Sequence, residues 1–217
     1  MGKMDLHGQR YILADGTKAQ SVTTVINQQL GWNKQALINW AKRITLGGQD
    51  AGKVLTDAGD IGTLLHILIE GHQQDFDVDT KDYSANQIQA AMKAFMGYLA
   101  WYEKTKFNAL MNEIVLVNEE WRVGGTIDCV GKLNGDLVIV DWKTARYLYK
   151  EHKLQLGAYT YMYEQAEPRA RIKYGLVMRF GKDDGKFHQH KVSRDKLDAG
   201  VEIFKALLKV SALKNSI

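Results

Sequence analysis

The stretch Gly125-Thr-Ile-Asp-Cys-Val-Gly-Lys-Leu-Asn-Gly-Asp-Leu-Val-Ile-Val-Asp-Trp-Lys143 decides the fold, because it is typical of two strands joined by a tight turn. Asn134-Gly135 is a typical two-residue type I′ turn sequence, since both residues tolerate positive φ. With a two-residue loop Leu133 faces Asp136, and counting back along both strands places Asp128 opposite Asp141. Directly opposed Cβ atoms lie about 4.5–5.5 Å apart. The turn therefore predicts two neighbouring carboxylates.

Two carboxylates in this arrangement repel each other, so one stays protonated unless a cation neutralises both. A divalent metal ion would satisfy both acids at once. Lys143 follows Asp141 by two residues, and the period-two alternation of a strand places its ammonium group on the same face. The alternative is a buried Asp–Lys ion pair with a spare Asp at the surface.

The predicted hairpin is apolar on both faces. One face carries the acids together with Val130, Leu137 and Ile139, and the other carries Ile127, Cys129, Val138, Val140 and Trp142. A strand pair without a solvated face belongs in a sheet that helices cover on both sides. Ionisable groups are costly to bury in such a sheet, which favours a functional reason for their presence.

Composition sets the broad class of the protein. At 217 residues, with 45% hydrophobic residues, the chain suits one domain with a sizeable core. The net charge of +4 permits nucleic-acid binding without requiring it. One cysteine excludes an internal disulfide and favours a reducing compartment. The apolar runs are shorter than the roughly 20 residues of a membrane span, and no signal peptide opens the chain, so we expect a soluble cytoplasmic protein without a membrane partner.

Hydrophobic periodicity predicts mixed α/β structure around the hairpin. Long helices are predicted at about 50–72 and 86–105, with Phe95, Leu99 and Tyr102 as a core stripe, followed by a strand at 114–117. After the hairpin we expect a helix at about 151–165, strands at 172–180 and 186–192, and a final amphipathic helix at about 195–213.

Four motifs, in this order, resemble the RecB-type, phage exonuclease-like branch of the PD-(D/E)xK nuclease superfamily. They are Gly62-x-x-x-His66, Gly125-x-x-Asp128, Asp141-Trp-Lys143 and Gln155-x-x-x-Tyr159. The resemblance runs from about Ser21 to Tyr159 and continues towards the C-terminus. The acid before Trp142 is Asp rather than Glu, and this branch accepts either.

The resemblance implies a restriction-endonuclease-like α/β fold, in which helices flank a mixed β-sheet, with an N-terminal helical extension. It implies one nuclease domain over residues 1–217. Residues 1–110 form a mainly helical part that carries His66, and residues 111–217 form the sheet core with the metal site.

The expected chemistry is phosphodiester hydrolysis with Asp128, Asp141 and Lys143 as catalytic residues. Carboxylate oxygens suit Mg²⁺ or Mn²⁺, and the resemblance adds His66 and the backbone carbonyl of Trp142 as metal ligands. Lys143 would position or deprotonate the attacking water or stabilise the phosphorane, and burial beside a metal would lower its pKa. The single cysteine excludes a four-cysteine iron–sulfur cluster.

Further site residues are predicted on helices. Glu70 follows His66 by one turn and would orient it, although such a pair is commonly an exposed i,i+4 pair. Gln155 and Tyr159 share a helix face, where the family places residues that contact the DNA backbone or orient the metal-bound water. The alternative is a polar helix rim with Tyr159 half-buried.

Two residues near these motifs lie outside the predicted site. Glu113 begins a strand where relatives often carry a glutamate, and it is not included in the predicted site. His152 is assigned no role.

The resulting hypothesis is a metal-dependent DNA nuclease, an exonuclease of phage or bacterial DNA recombination and repair. DNA is the expected partner, and a helicase or a single-strand annealing protein is a candidate second partner. Two alternatives remain open at this point: a catalytically silent DNA-binding module of the same fold, and an RNA-directed nuclease with the same chemistry.

Overall fold

A computed structural model describes residues 11–145 and 147–214 of the chain. Its strands are β1 (Gln20–Ser21), β2 (Asn108–Asn118), β3 (Val123–Leu133), β4 (Asp136–Lys143), β5 (Tyr174–Phe180) and β6 (Phe187–Ser193). Its helices are α1 (Val22–Gln29), α2 (Lys34–Leu46), α3 (Ala51–Gln74), α4 (Ala85–Thr105), α5 (Lys150–Ala166) and α6 (Arg194–Lys214). Among these described residues, no helix is both long and apolar enough to cross a membrane.

The predicted α/β architecture is confirmed as a mixed sheet between helices. β2 and β4 pair antiparallel with β3, β5 runs parallel to β4, and β6 closes the far edge antiparallel to β5. The predicted hairpin turn is also confirmed, since Asn134 and Gly135 have φ values of 54° and 86° and Leu133 pairs with Asp136. The parallel pairing of β1 with β3 was not predicted, because a two-residue strand leaves no periodic signal.

The sheet opens along one edge of β3. β1 pairs with Val123 and Gly124 at the start of β3, whereas β4 pairs with β3 from Cys129 to Leu133. Residues 125–128 therefore have no ladder partner on that edge among the described strands. The predicted register between β3 and β4 is observed from the pair Leu133 and Asp136 to the pair Cys129 and Val140. Extended by one more residue, the same register would place Asp128 opposite Asp141. Asp128 thus lies where the sheet stops being continuous.

Helices cover both faces of the sheet, as predicted. One core lies between the sheet and α1, α5 and α6, and the other lies between the sheet and α3 and α4. In α4 the predicted stripe of Phe95, Leu99 and Tyr102 is only partly buried. The fully buried face lies one position earlier along the helix and carries Ala94, Tyr98 and Trp101.

The alternation of side-chain directions along β3 changes at Asp128. We expected Ile127 to share a face with Cys129, but Ile127 packs in the same core as Val130, on the α5 side. The prediction for Ile127 is therefore wrong. Continuous pairing with neighbouring strands normally enforces the alternation, and this pairing is interrupted at Asp128, so the two halves of β3 face their cores independently.

Trp142 anchors the end of β4. Its ring is 2% exposed and lies 5.7 Å from Trp101 and 5.8 Å from Tyr98, measured between ring centroids. The ring points into the core on the α4 side, as the alternation predicts. Its neighbours Asp141 and Lys143 therefore project to the opposite face, and Trp142 fixes where they lie.

Two glycines provide a matched test of helix packing. A Cβ on Gly157 of α5 would lie 2.7 Å from the backbone oxygen of Leu197 and 3.0 Å from Cα of Gly200, so α6 would have to move. A Cβ on Gly59 of α3 would meet no atom within 4 Å. We expect Gly157→Ala to lower the free energy of unfolding by about 1–3 kcal/mol. Gly59→Ala should raise it by about 0.5–1 kcal/mol through helix propensity. Urea unfolding of both variants measures the difference, and equal stabilities would contradict the close helix contact.

Candidate metal and active site

Three predicted or suspected residues meet at the opening of the sheet. The ring of His66, on α3, places Nδ1 3.6 Å from Oε1 of Glu113 and 3.8 Å from Oδ1 of Asp128. Its Nε2 lies 3.0 Å from the backbone oxygen of Trp142. One ligand atom from each of His66, Glu113 and Asp128 can be chosen so that all lie within 4.8 Å of one another. The helical part and the sheet thus converge on one polar cluster.

Asp128 is held in place by the neighbouring strand. The backbone N–H of Trp142 donates to Oδ2 of Asp128 at 2.7 Å. Oδ1 of the same carboxylate faces His66. Because the N–H and the carbonyl of Trp142 bond Asp128 and His66 respectively, the end of β4 positions both side chains.

Asp141 and Lys143 form the second half of the site. Asp141 is 2% exposed, and Nζ of Lys143 donates to its Oδ1 at 2.6 Å. The other oxygen, Oδ2, is buried and has no hydrogen-bond partner among the described residues. A buried carboxylate oxygen without a partner is costly, which makes it a candidate for a ligand that the chain itself does not supply.

The predicted repulsion from the other acid raises the pKa of Asp141, whereas at Asp128 the neighbouring carboxylate that raises the pKa is Glu113. Burial raises the pKa of Asp128, and the charge of Glu113 adds to this, although His66 and Lys143 oppose it. Burial likewise raises the pKa of Asp141, with Asp128 adding and Lys143 opposing. Both carboxyl groups therefore resist ionisation even with two cationic side chains beside them.

The nearby bases are held in the charged form by these acids. Burial alone would lower the pKa of His66, but Asp128 and Glu113 outweigh it and raise the pKa to about 9. Burial would also lower the pKa of Lys143, but Asp141 and Asp128 outweigh it and raise that pKa as well. The lowered pKa expected for Lys143 is therefore not what the protein's own charges produce.

The residues present suit a divalent cation. Clustered carboxylates and an imidazole are a donor set for Mg²⁺ or Mn²⁺, and the orphaned Oδ2 of Asp141 adds a buried oxygen. An added positive charge would also relieve the raised pKa values of the two acids. His66 would have to release a proton to become a ligand, because an imidazolium has no free lone pair.

Glu113 belongs to the cluster, although the sequence did not include it in the predicted site. On β2 the paired residues are Asn112 with Cys129 and Ile114 with Ile127, which leaves Glu113 facing Asp128. Glu113 has φ of 47°, in the left-handed region that a glutamate rarely adopts. The available sequence signal was its place at the start of a predicted strand. The backbone conformation that brings its carboxylate to His66 was not readable from the residues.

The other predicted residues surround this cluster. Glu70 accepts a hydrogen bond from Gln74 at 3.1 Å, whereas the contacts of the His66 ring are to Glu113, Asp128 and Trp142. The role predicted for Glu70 stays a prediction. The glutamate whose carboxylate faces Nδ1 of His66 is Glu113.

Gln155 and Tyr159 lie together on α5, as predicted. Burial raises the pKa of the Tyr159 hydroxyl, the charges of Asp128 and Asp141 add to this, and the neighbouring Gln155 side chain opposes it. Tyr159 is 5% exposed, so it is buried rather than half-buried. A Cβ on Gly125 would overlap its ring, which explains the glycine of the Gly125-x-x-Asp128 motif.

His152 was assigned no role, yet it faces the site from the first turn of α5. Burial lowers its pKa to about 4; Asp141 opposes this shift and Lys143 adds to it. Its Nδ1 is buried without a partner among the described residues. A neutral imidazole therefore lies beside the Asp141–Lys143 pair. Its position, one turn before Gln155, was the signal that could have indicated it.

A mixed sheet that opens around buried carboxylates, an imidazole and a lysine defines an α/β protein with a candidate divalent-metal centre. A model of the PD-(D/E)XK nuclease superfamily matches residues 39–213. This match covers most of the chain, so the protein belongs to the PD-(D/E)XK nuclease superfamily.

Two solved structures are similar in overall course. The crystal structure of LHK-Exo in complex with dAMP is 9% identical over 91% of this chain and 93% of that chain, with a TM-score of 0.40. The crystal structure of SSO0001 is 14% identical over 66% and 84% of the respective chains, with a TM-score of 0.31. At these scores neither similarity carries weight for function. A search of curated proteins finds no match.

The strain at Glu113 can be measured with two variants that both remove its carboxylate. Glu113→Ala keeps a Cβ in the left-handed region, whereas Glu113→Gly relieves it. We expect the glycine variant to be more stable than the alanine variant by about 1–2 kcal/mol in urea unfolding. Both variants should lose affinity for Mn²⁺ in calorimetric titration. Equal stability of the two variants would contradict the left-handed conformation.

The repulsion at Asp128 should depend on pH and on metal. Because the folded pKa of Asp128 is raised, its ionisation destabilises the fold as the pH rises above the unfolded value of 3.8. Without divalent ions, Asp128→Asn should therefore be more stable than wild type at pH 8, and this advantage should shrink as the pH falls. Mn²⁺ at about 100 times its Kd should stabilise the wild type by about 2.7 kcal/mol and the variant far less. Thermal unfolding with and without Mn²⁺ tests both statements, and a wild type more stable than the variant in chelator would contradict them.

Proposed function

We propose that this protein is a metal-dependent DNA nuclease that hydrolyses phosphodiester bonds as an exonuclease. The observation that carries the proposal is the ion pair of the buried Asp141 with Lys143 beside the His66, Glu113 and Asp128 cluster, in a member of a nuclease superfamily. Phosphodiester hydrolysis needs an activated water, a cation and a positive group near the phosphorus, and these residues offer donors for the cation and supply the positive group.

Asp128, Asp141 and His66 are the proposed ligands of Mg²⁺ or Mn²⁺, with the carbonyl of Trp142 and the carboxylate of Glu113 beside them. When bound, such an ion activates water and offsets charge on the phosphate. The chain's own contribution is to fix these donors: Trp142 holds Asp128 through its N–H, and α3 brings in His66.

Lys143 is proposed to stabilise the charge of the pentacoordinate phosphorus. Its raised pKa keeps it an ammonium at neutral pH, so it is poorly suited to remove a proton from water. A fixed positive group in a partly buried site is worth most where negative charge accumulates in the transition state. Of the three roles considered for Lys143, this one agrees best with its surroundings.

Gln155 and Tyr159 are proposed to support the site from α5. The burial of Tyr159 leaves little surface for the DNA backbone, so orientation of a water near Asp128 and Asp141 suits it better. Gln155, which lies one turn before Tyr159 on α5 and is less buried, remains the candidate contact to the substrate.

The biological setting is proposed from the motif resemblance. A RecB-type, phage exonuclease-like enzyme would act in DNA recombination and repair in the cytoplasm, with a helicase or a single-strand annealing protein as partner. A silent DNA-binding module is the less favoured function, since a module without catalysis has no need for an orphaned Asp141 oxygen. An RNA-directed nuclease would use the same residues.

Cleavage assays test the proposal directly. With Mg²⁺ or Mn²⁺, we expect a linear duplex to be degraded and a covalently closed circle to survive, because an exonuclease needs an end. Asp141→Asn and Lys143→Ala should each lower the cleavage rate by at least about a hundredfold. Lys132→Ala, which removes an exposed lysine from the same hairpin, should leave the rate unchanged.

Three results would overturn parts of this assignment. Full activity of Lys143→Ala would reject the proposed active site. Rapid cutting of the closed circle would indicate an endonuclease. Faster cleavage of a matched RNA oligonucleotide would favour the RNA-directed alternative.

A further inference from the structure

Exposed aromatic side chains lie just before the start of α5 and in the loop that contacts it. We name this set the aromatic ledge and define it as Trp32, Tyr147 and Tyr149. These side chains are 53%, 60% and 37% exposed. In the described part of the chain, only four Phe, Tyr or Trp side chains are at least 37% exposed, and the fourth, Phe76, lies after the end of α3. Exposed aromatic rings are thus concentrated in one region.

The aromatic ledge is connected to the active site through α5. The ring of Tyr149, at the N-cap of α5, packs edge-on against His152 with centroids 5.5 Å apart. His152 in turn lies in the field of Asp141 and Lys143. On the other side, Nζ of Lys150 lies 5.7 Å from the ring centroid of Trp32, which joins the loop before α2 to the start of α5.

The surroundings of the aromatic ledge are basic. Residues 31–48, from the loop before α2 to its end, contain three basic residues and no acidic one, namely Lys34, Lys42 and Arg43. Residues 147–153 contain two lysines and one glutamate. The whole chain is almost balanced, with 29 basic and 25 acidic residues, so this local excess is specific to the region. Such a surface complements a phosphodiester backbone.

Exposed rings beside basic groups are the chemistry that binds unpaired bases. A base in a duplex has both faces covered by its neighbours, whereas a base in a single strand can stack on an aromatic side chain. We propose that the aromatic ledge binds a single-stranded DNA segment next to the scissile bond, so that the protein holds an unpaired strand as it enters or leaves the site. This inference rests on the proposed nuclease function and adds the form of the substrate that the site accepts.

Binding without cleavage tests the ledge by itself. Fluorescence anisotropy in EDTA would compare a single-stranded oligonucleotide with a blunt duplex of the same length. Trp32→Ala and Tyr147→Ala should each weaken single-strand binding by about 5- to 150-fold, the effect of losing one stacked base. Blunt-duplex binding should change little, and Trp32→Phe should retain most of the single-strand affinity because it keeps a ring. Phe76→Ala is the matched control and should bind like wild type.

The outcomes separate this inference from the proposed function. Unchanged single-strand affinity in both alanine variants, or an equal loss for the single strand and the duplex, overturns the ledge. A change of oligomeric state in Trp32→Ala, seen by size-exclusion chromatography, would instead make the region a contact between copies and would also overturn it. Loss of cleavage in Lys143→Ala with single-strand binding retained supports both proposals, and cleavage by Lys143→Ala at the wild-type rate rejects the nuclease site alone.

Discussion

Two carboxylates at a break in the sheet, Asp141 buried and Asp128 only 11% exposed, are the constraint on which the rest of this structure depends. Burial raises the pKa of both Asp128 and Asp141, and a neighbouring carboxylate adds to the shift, namely Glu113 for Asp128 and Asp128 for Asp141. Burying charge is tolerated only where partners compensate it, and the chain supplies His66 and Lys143 for this purpose. The compensation is incomplete, since one oxygen of Asp141 stays without a partner.

Three features of the fold hold these charged side chains in place. β3 changes its pairing partner on one edge from β1 to β4, and the gap between them holds Asp128. Trp142 is locked in an aromatic core, so its backbone groups can hold Asp128 and His66 at fixed distances. Glu113 adopts a strained backbone conformation opposite Asp128. Strain and unsatisfied polar groups of this kind concentrate at functional sites.

The helices contribute the groups that a sheet alone could not. α3 brings an imidazole from a distant part of the chain, and the start of α5 adds His152 beside the Asp141–Lys143 pair. The same end of α5 meets the loop before α2 at Lys150 and Trp32. The helical part and the sheet part of the chain therefore meet around the two acids.

The sequence by itself determined the hairpin, its register and the acids on it. A two-residue turn with positive φ at Asn134 and Gly135 fixes which residues of the two strands face each other. It also determined the long helices, whose periodicity is strong, and the superfamily, whose motifs are local. Only the tertiary structure decided the positions of Glu113 and His152 and the face of Ile127. Each of these depends on where pairing stops or on which helix packs nearby, and local residue spacing hints at such positions for Glu113 and His152 but does not fix them.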